Sequence, residues 1–202
     1  MSHLDYRPTP GQPTRAQVAT RWTAGLTALM FGLEGVDTVV GHAMDGWGIV
    51  PRDPERLPSI FVAPFLHLGW GHLLANALPM MVFGFLLLLE GLRRFVQVTL
   101  IVTVVSGMTV WLLSAPGSVT LGASGVIFGW FLYLLARGVY TRSATQILVA
   151  VVILFVWGGM LWGVLPLQVG VSWQAHLGGA VGGVIAARSL AGRGTKVTGA
   201  GR

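Results

Sequence analysis

Two stretches of this chain carry no Asp, Glu, Lys or Arg: 42 residues from Phe95 to Ala136 and 45 from Ser143 to Ala187. A helix needs about 20 apolar residues to cross a bilayer, so each stretch has room for two crossings. Proline and glycine divide them, at Ser114-Ala115-Pro116-Gly117-Ser118 and between Leu165-Pro166 and Gly170, because both residues interrupt helices and favour turns. Spans are therefore expected near 95–115, 122–140, 145–164 and 173–190. A further apolar run, about Leu68 to Leu89, is closed by Glu90, Gly91, Arg93 and Arg94. Another, about Arg21 to Val40, carries Glu34 and Asp37 in its last third, where they are expected to reach the membrane surface. With 10% charged residues against the usual quarter, most of the chain cannot face water. The reading is an all-α polytopic membrane protein with a bundle of six transmembrane helices.

If six spans alternate, 11 of the 13 basic residues fall on one side; Arg52 and Arg56 share a loop with Asp45, Asp53 and Glu55. Short basic connections stay cytoplasmic, so both termini are expected there. This arrangement accounts for the net charge of +6 without nucleic acid, since the basic residues sit at helix ends rather than on one soluble face. The absence of cysteine excludes disulfides and thiolate metal sites. Residues 1–17 read as a flexible tail, 18–190 as the membrane domain, and the Gly-rich 191–202 as a second tail.

Spans two, four and six run inward, and their notable polar side chains all lie near their beginnings: His67, His72 and Asn76, then Ser124, then His176. They share one depth and form a candidate active layer. His72 and Asn76, four apart, stack on one helix face and offer two donors for a tetrahedral oxyanion, although such residues also serve as bonds between helices. Serines in membrane helices often bond their own backbone, whereas an ionisable residue within a span is by default functional. Gly125 and Gly129 on one span, and Ala175, Gly179 and Gly183 on the other, form small-residue seams that permit close approach. If the seams meet, Ser124 and His176 come within reach as nucleophile and base. No carboxylate is placed to complete a triad, so a dyad is expected, with Phe128 a plausible ring beneath His176. There is no His-Glu-x-x-His for zinc, and neither metal nor cofactor is expected.

Three segments in order on alternate spans resemble the rhomboid family of intramembrane serine proteases. His67-Leu68-Gly69-Trp70-Gly71-His72-Leu73-Leu74-Ala75-Asn76 resembles its second-helix motif, Gly122-Ala123-Ser124-Gly125 its Gly-x-Ser-Gly, and Ala175-His176 with Gly179 and Gly183 its AHxxGxxxG. The resemblance covers about residues 57–190. It implies Ser124 as nucleophile, His176 as base, and His72, Asn76 and the Ser124 backbone N–H as oxyanion donors. Phe128 matches a position where the family often has tyrosine against the histidine, and Val171 departs from a glycine found in some relatives. The resemblance also implies a six-helix core, a first loop (about Gly41 to Phe65) lying partly in the membrane, and a fifth loop (about Gly163 to Ser172) over the site.

The expected function is cleavage of membrane protein segments within the bilayer near its outer face. Gln174, Ser172 and His67 could help hold water. His67, five residues before His72, is expected to point away from the His72 and Asn76 face and to tolerate substitution. The other readings of one polar layer in a bundle are a transporter or proton relay, or a relative that binds or escorts clients without cleaving them. Such relatives lack the serine or the histidine, and this chain has both. Small size, short basic loops and no visible transit helix suggest a bacterial plasma membrane.

Overall fold

A computed structural model describes residues 12–168 and 170–191. The expected tail residues 1–11 and 192–202 lie outside them. Among the described residues the protein is helical, with six helices of 14 to 25 residues and one of four. They are α1 (Arg15–Val39), the short α2 (Ser59–Val62), α3 (Gly69–Leu88), α4 (Leu92–Leu113), α5 (Ser124–Thr141), α6 (Ala144–Trp157) and α7 (Trp173–Leu190).

The helix ends follow local chemistry. Thr14 opens α1 with a capping box, its hydroxyl accepting from the Gln17 N–H while the Gln17 side chain accepts from the Thr14 N–H. Helix α1 thus begins inside the segment expected to be tail. Ser143 and Ser172 cap α6 and α7 in the same manner, each hydroxyl accepting a first-turn N–H. The expected span over 145–164 is helical throughout but changes character: after Trp157 the chain tightens into a 3-10 helix, Gly158–Val164. Gly158, Gly159 and Gly163 make this stretch a poor α-helix.

Three segments are long and apolar enough to cross a membrane: Gly69–Leu88, Leu92–Leu113 and Ala144–Val164. The remaining long helices are less apolar for different reasons. Helices α5 and α7 pack against each other in the middle, with α4 along α7 and α3 beside α5. Glycine there replaces bulk with proximity. A Cβ at Gly179 would collide with the Gly125 carbonyl, and one at Gly183 with that of Gly129, so the two small-residue seams meet. By contrast α6 turns an apolar face outward, where Phe155 is 91% exposed. That surface suits lipid, not water.

The first loop lies on the end of the bundle nearest Ser124. It contains α2 and short 3-10 turns at Ala43–Trp47, Pro54–Arg56 and Ala63–Phe65. Ile49 and Thr120 exchange backbone hydrogen bonds of 2.8 and 3.0 Å, and the Gly122 N–H donates to the Ala63 carbonyl at 2.9 Å. Ile60, Leu66, Val110, Leu121 and Ala175 bury a small apolar cluster beneath them. The loop thereby fixes the segment that delivers Ser124.

Candidate active site

Ser124 occupies the first turn of α5, directly after an irregular segment. Gly122 there has φ +120°, a backbone conformation closed to most side chains. A Cβ on Gly122 would also stand 2.5 Å from His72 Cε1 and 2.8 Å from its Nε2. Glycine is thus needed twice, for the turn and for the approach of the His72 ring. First-turn N–H groups have no acceptor within their own helix, so the Ser124 end of α5 carries donors and the positive end of the helix dipole.

Ser124, His72, Asn76, Phe128 and His176 line one cavity of about 720 Å³, with Gln174, Ser172, Trp157 and Met160 also on its wall. His176 is buried. Its Nδ1–H donates to the Gly163 carbonyl at 2.8 Å, an acceptor that cannot donate in return. This fixes the tautomer and leaves Nε2 as the basic nitrogen. The imidazole lies flat on Phe128, with centroids 4.0 Å apart and planes 7° from parallel. A side chain at Gly163 would strike both rings, at 2.9 Å from Phe128 and 3.0 Å from His176 Nδ1. Behind the histidine, the Ser106 hydroxyl donates to the Ala175 carbonyl at 2.8 Å and joins α4 to the start of α7. Ser124 Oγ has no hydrogen-bond partner among the described residues. It is therefore not bonded to His176 Nε2, and nucleophile–base bonds are often long where no substrate is present.

The second-helix residues are arranged for donation. The Leu68 N–H donates to His72 Nδ1 at 3.3 Å, which places the remaining ring proton on Nε2, beside Gly122. One Asn76 N–H is spent on the His72 carbonyl at 2.8 Å, and the second is left over.

His67 departs from expectation. It is 2% exposed, its ring meets that of His72 edge-on at 5.2 Å, and its Nε2 accepts from the Ala123 N–H at 3.4 Å. Burial, together with the neighbouring His72, holds its pKa down at about 4, so the ring is neutral. Counting positions on an ideal helix placed His67 on the wrong face because α3 begins only at Gly69. Leu66 is extended and Gly69 has φ +82°, and the turn between them sets His67 behind the His72 ring, outside the cavity lining. The Leu66-His67-Leu68-Gly69 sequence contained one signal for this, a glycine where a helix would start.

Glu34 and Asp37 lie inside the protein. Both are 3% exposed, and Asp37 accepts from the Met44 N–H of the first loop at 2.7 Å. Arg137, counted above among the basic connections, is inside α5 and pairs with Glu90.

A helical bundle with apolar outer faces and, at one end, a cavity that carries a few polar side chains is the form of a membrane-embedded enzyme or carrier. The Rhomboid domain profile matches residues 54–193, and the chain belongs to the rhomboid family. The uncharacterized protein Rv1337 of Mycobacterium tuberculosis is 42% identical to it, over 91% of this chain and 84% of its own length. The uncharacterized protein ML1171 of Mycobacterium leprae is 39% identical, over 93% of this chain and 78% of its own length. With three apolar helices and mycobacterial relatives, this is a bacterial membrane protein.

Proposed function

We propose that the protein is an intramembrane serine endopeptidase in which Ser124 and His176 form a catalytic dyad. The observation that carries this reading is the Nδ1–H bond from His176 to the Gly163 carbonyl, which leaves Nε2 basic in the cavity that Ser124 lines. Ser124 Oγ attacks a substrate carbonyl as His176 Nε2 takes its proton. The new oxyanion is met by His72 Nε2–H, the free Asn76 N–H and the Ser124 backbone N–H, at the positive end of α5. The amine leaves with the proton from His176, and a water then releases the acyl group. Gly122, Gly125, Gly179 and Gly183 act in support, by letting backbones and the His72 ring come close.

In this reading all six long helices cross the plasma membrane with both termini cytoplasmic. The cavity then opens near the outer face, and substrates are membrane protein segments that unwind there. A helical peptide bond is hydrogen-bonded and shielded, so Gly or Pro near the cut should favour cleavage. Nothing in the cavity favours transport over hydrolysis.

Labelling with a fluorophosphonate tests the proposal. The purified protein should be modified at Ser124, Ser124→Ala should not react, and His176→Ala should react far more slowly. Absence of label from the folded wild-type protein would replace this reading with one of client binding.

A further inference from the structure

Away from the cavity, α1 passes into the first loop through four acid or imidazole side chains. Asp37, His42 and Asp45 each offer a ligand atom such that all three lie within 4.8 Å of one another. His42 Nδ1 is 3.3 Å from Asp37 Oδ2 and 3.9 Å from Asp45 Oδ2. Two ligands of a tetrahedral zinc site, each about 2.0–2.1 Å from the metal, stand roughly 3.3 Å apart. The first separation already has that value, and the second closes with a modest rotation of the partly exposed Asp45.

Glu34 is the independent observation. It is 3% exposed, and neither of its carboxylate oxygens has a hydrogen-bond partner. It also lies within electrostatic range of Asp37, Asp45 and His42. Buried carboxylates are normally satisfied by donors. Of the two acids near it, Asp45 has a buried oxygen that is also unpartnered. The arginines of the loop do not supply the missing charge. Arg52 donates to the Leu112 carbonyl and Arg56 to those of Gly46 and Gly48, and neither pairs with the cluster.

We propose that Asp37, His42 Nδ1 and Asp45 bind a single divalent cation, with Zn²⁺ preferred and the nearby Glu34 carboxylate adding negative charge. Carboxylates alone would suit Ca²⁺ or Mg²⁺, but an imidazole nitrogen shifts the preference toward borderline metals. The ion would clamp the last turns of α1 to the loop that, through Ile49 and Ala63, holds the segment before Ser124. The site is separate from the proposed dyad and does not depend on it.

The test uses tag-free, full-length protein in detergent, stripped with chelator, incubated with zinc chloride and desalted. Bound zinc is measured by elemental analysis, and thermal unfolding is followed with zinc, calcium or no metal. His42→Ala and Asp45→Asn alter side chains that are not fully buried, so both variants should melt like the stripped wild type. His67, His72 and His176 are alternative zinc ligands, and His72→Ala controls for them. The expected result is one zinc per wild-type chain with a raised melting temperature. His42→Ala and Asp45→Asn should lose at least tenfold in affinity, and His72→Ala should keep it. The proposal is overturned if the wild type retains no zinc, if zinc is lost only in His72→Ala, or if calcium stabilises more than zinc does.

Discussion

The two ends of α5 treat polar side chains in opposite ways. Ser124 and Arg137 are 13 residues apart on this helix, about 20 Å along its axis. At the far end the charged groups meet other protein groups, although Arg137 Nε keeps no partner: Glu90 pairs with Arg137 and accepts from the Tyr133 hydroxyl at 2.8 Å, while Arg94 donates to the Leu190 carbonyl at 2.8 Å. At the near end, Ser124 Oγ, one N–H of Asn76 and Nε2 of His176 keep bonding capacity that faces a cavity. Ionisable residues are present at both ends, so their rarity in apolar helices does not by itself mark a reactive site. Completed bonds make a staple, and unfinished ones leave chemistry to be done.

Four tests would break or sharpen this contrast. The largest effect belongs to the near end. Ser124→Ala and His176→Ala should each remove cleavage of a single-span substrate to the detection limit, because losing one member of a nucleophile and base pair costs nearly as much as losing both. Both variants should melt close to the wild type. Substantial turnover by folded Ser124→Ala would end the protease reading.

Arg137→Met comes next and should act on stability alone. Removing one partner of a buried pair destabilises by about 3–5 kcal/mol, since Glu90 then keeps only Tyr133. Denaturant unfolding in detergent should show this loss, partly recovered in the Glu90→Gln and Arg137→Met double variant, and the folded fraction should label at Ser124 as fast as wild type. Slower labelling would mean that the two ends are coupled.

Asn76→Ala and His72→Ala should each lower kcat by about 10²–10³ and leave KM nearly unchanged, as expected when one of several oxyanion donors is removed. A change in KM alone would make the residue a packing element.

The smallest effect concerns His67. Its folded pKa of about 4 lies below the ordinary 6.5. Above pH 6.5 neither the folded nor the unfolded chain protonates it. Between 6.5 and 4 only the unfolded chain does, so stability should fall through that window, by up to about 3 kcal/mol at pH 4. Melting curves from pH 8 to 4 should show the decline in wild type and a shallower one in His67→Gln. Parallel declines would remove His67 as the cause.

Much of this architecture was readable from sequence because charge is so costly in hydrocarbon. The positions of α3 to α7 follow from where Asp, Glu, Lys and Arg are missing, and the glycine seam from the four-residue spacing of Gly125 with Gly129 and of Gly179 with Gly183. What escaped was settled by short irregular segments. The swing of His67 depends on backbone angles at Leu66 and Gly69. The burial of Glu34 and Asp37 depends on how the first loop folds back on α1, and Arg137 looked like a topology signal because its partner Glu90 is 47 residues away in sequence. For Asn76 the sequence leaves two roles open, oxyanion donor or bond between helices, and neither is a bond to its own backbone. That it spends half of its amide on its own helix is invisible until the rotamer is seen.

The carbonyl of Gly163 beneath His176 has a kinetic consequence. In a serine protease with a triad, a carboxylate in that place stabilises the imidazolium as it forms. A neutral carbonyl offers only a dipole, so in the proposed mechanism the charged intermediate receives less help and turnover is slow. Confinement in a membrane makes a slow enzyme workable. Two molecules held in one lipid sheet diffuse in two dimensions and meet again soon after they part, and repeated encounters give an unhurried nucleophile many chances at the same bond.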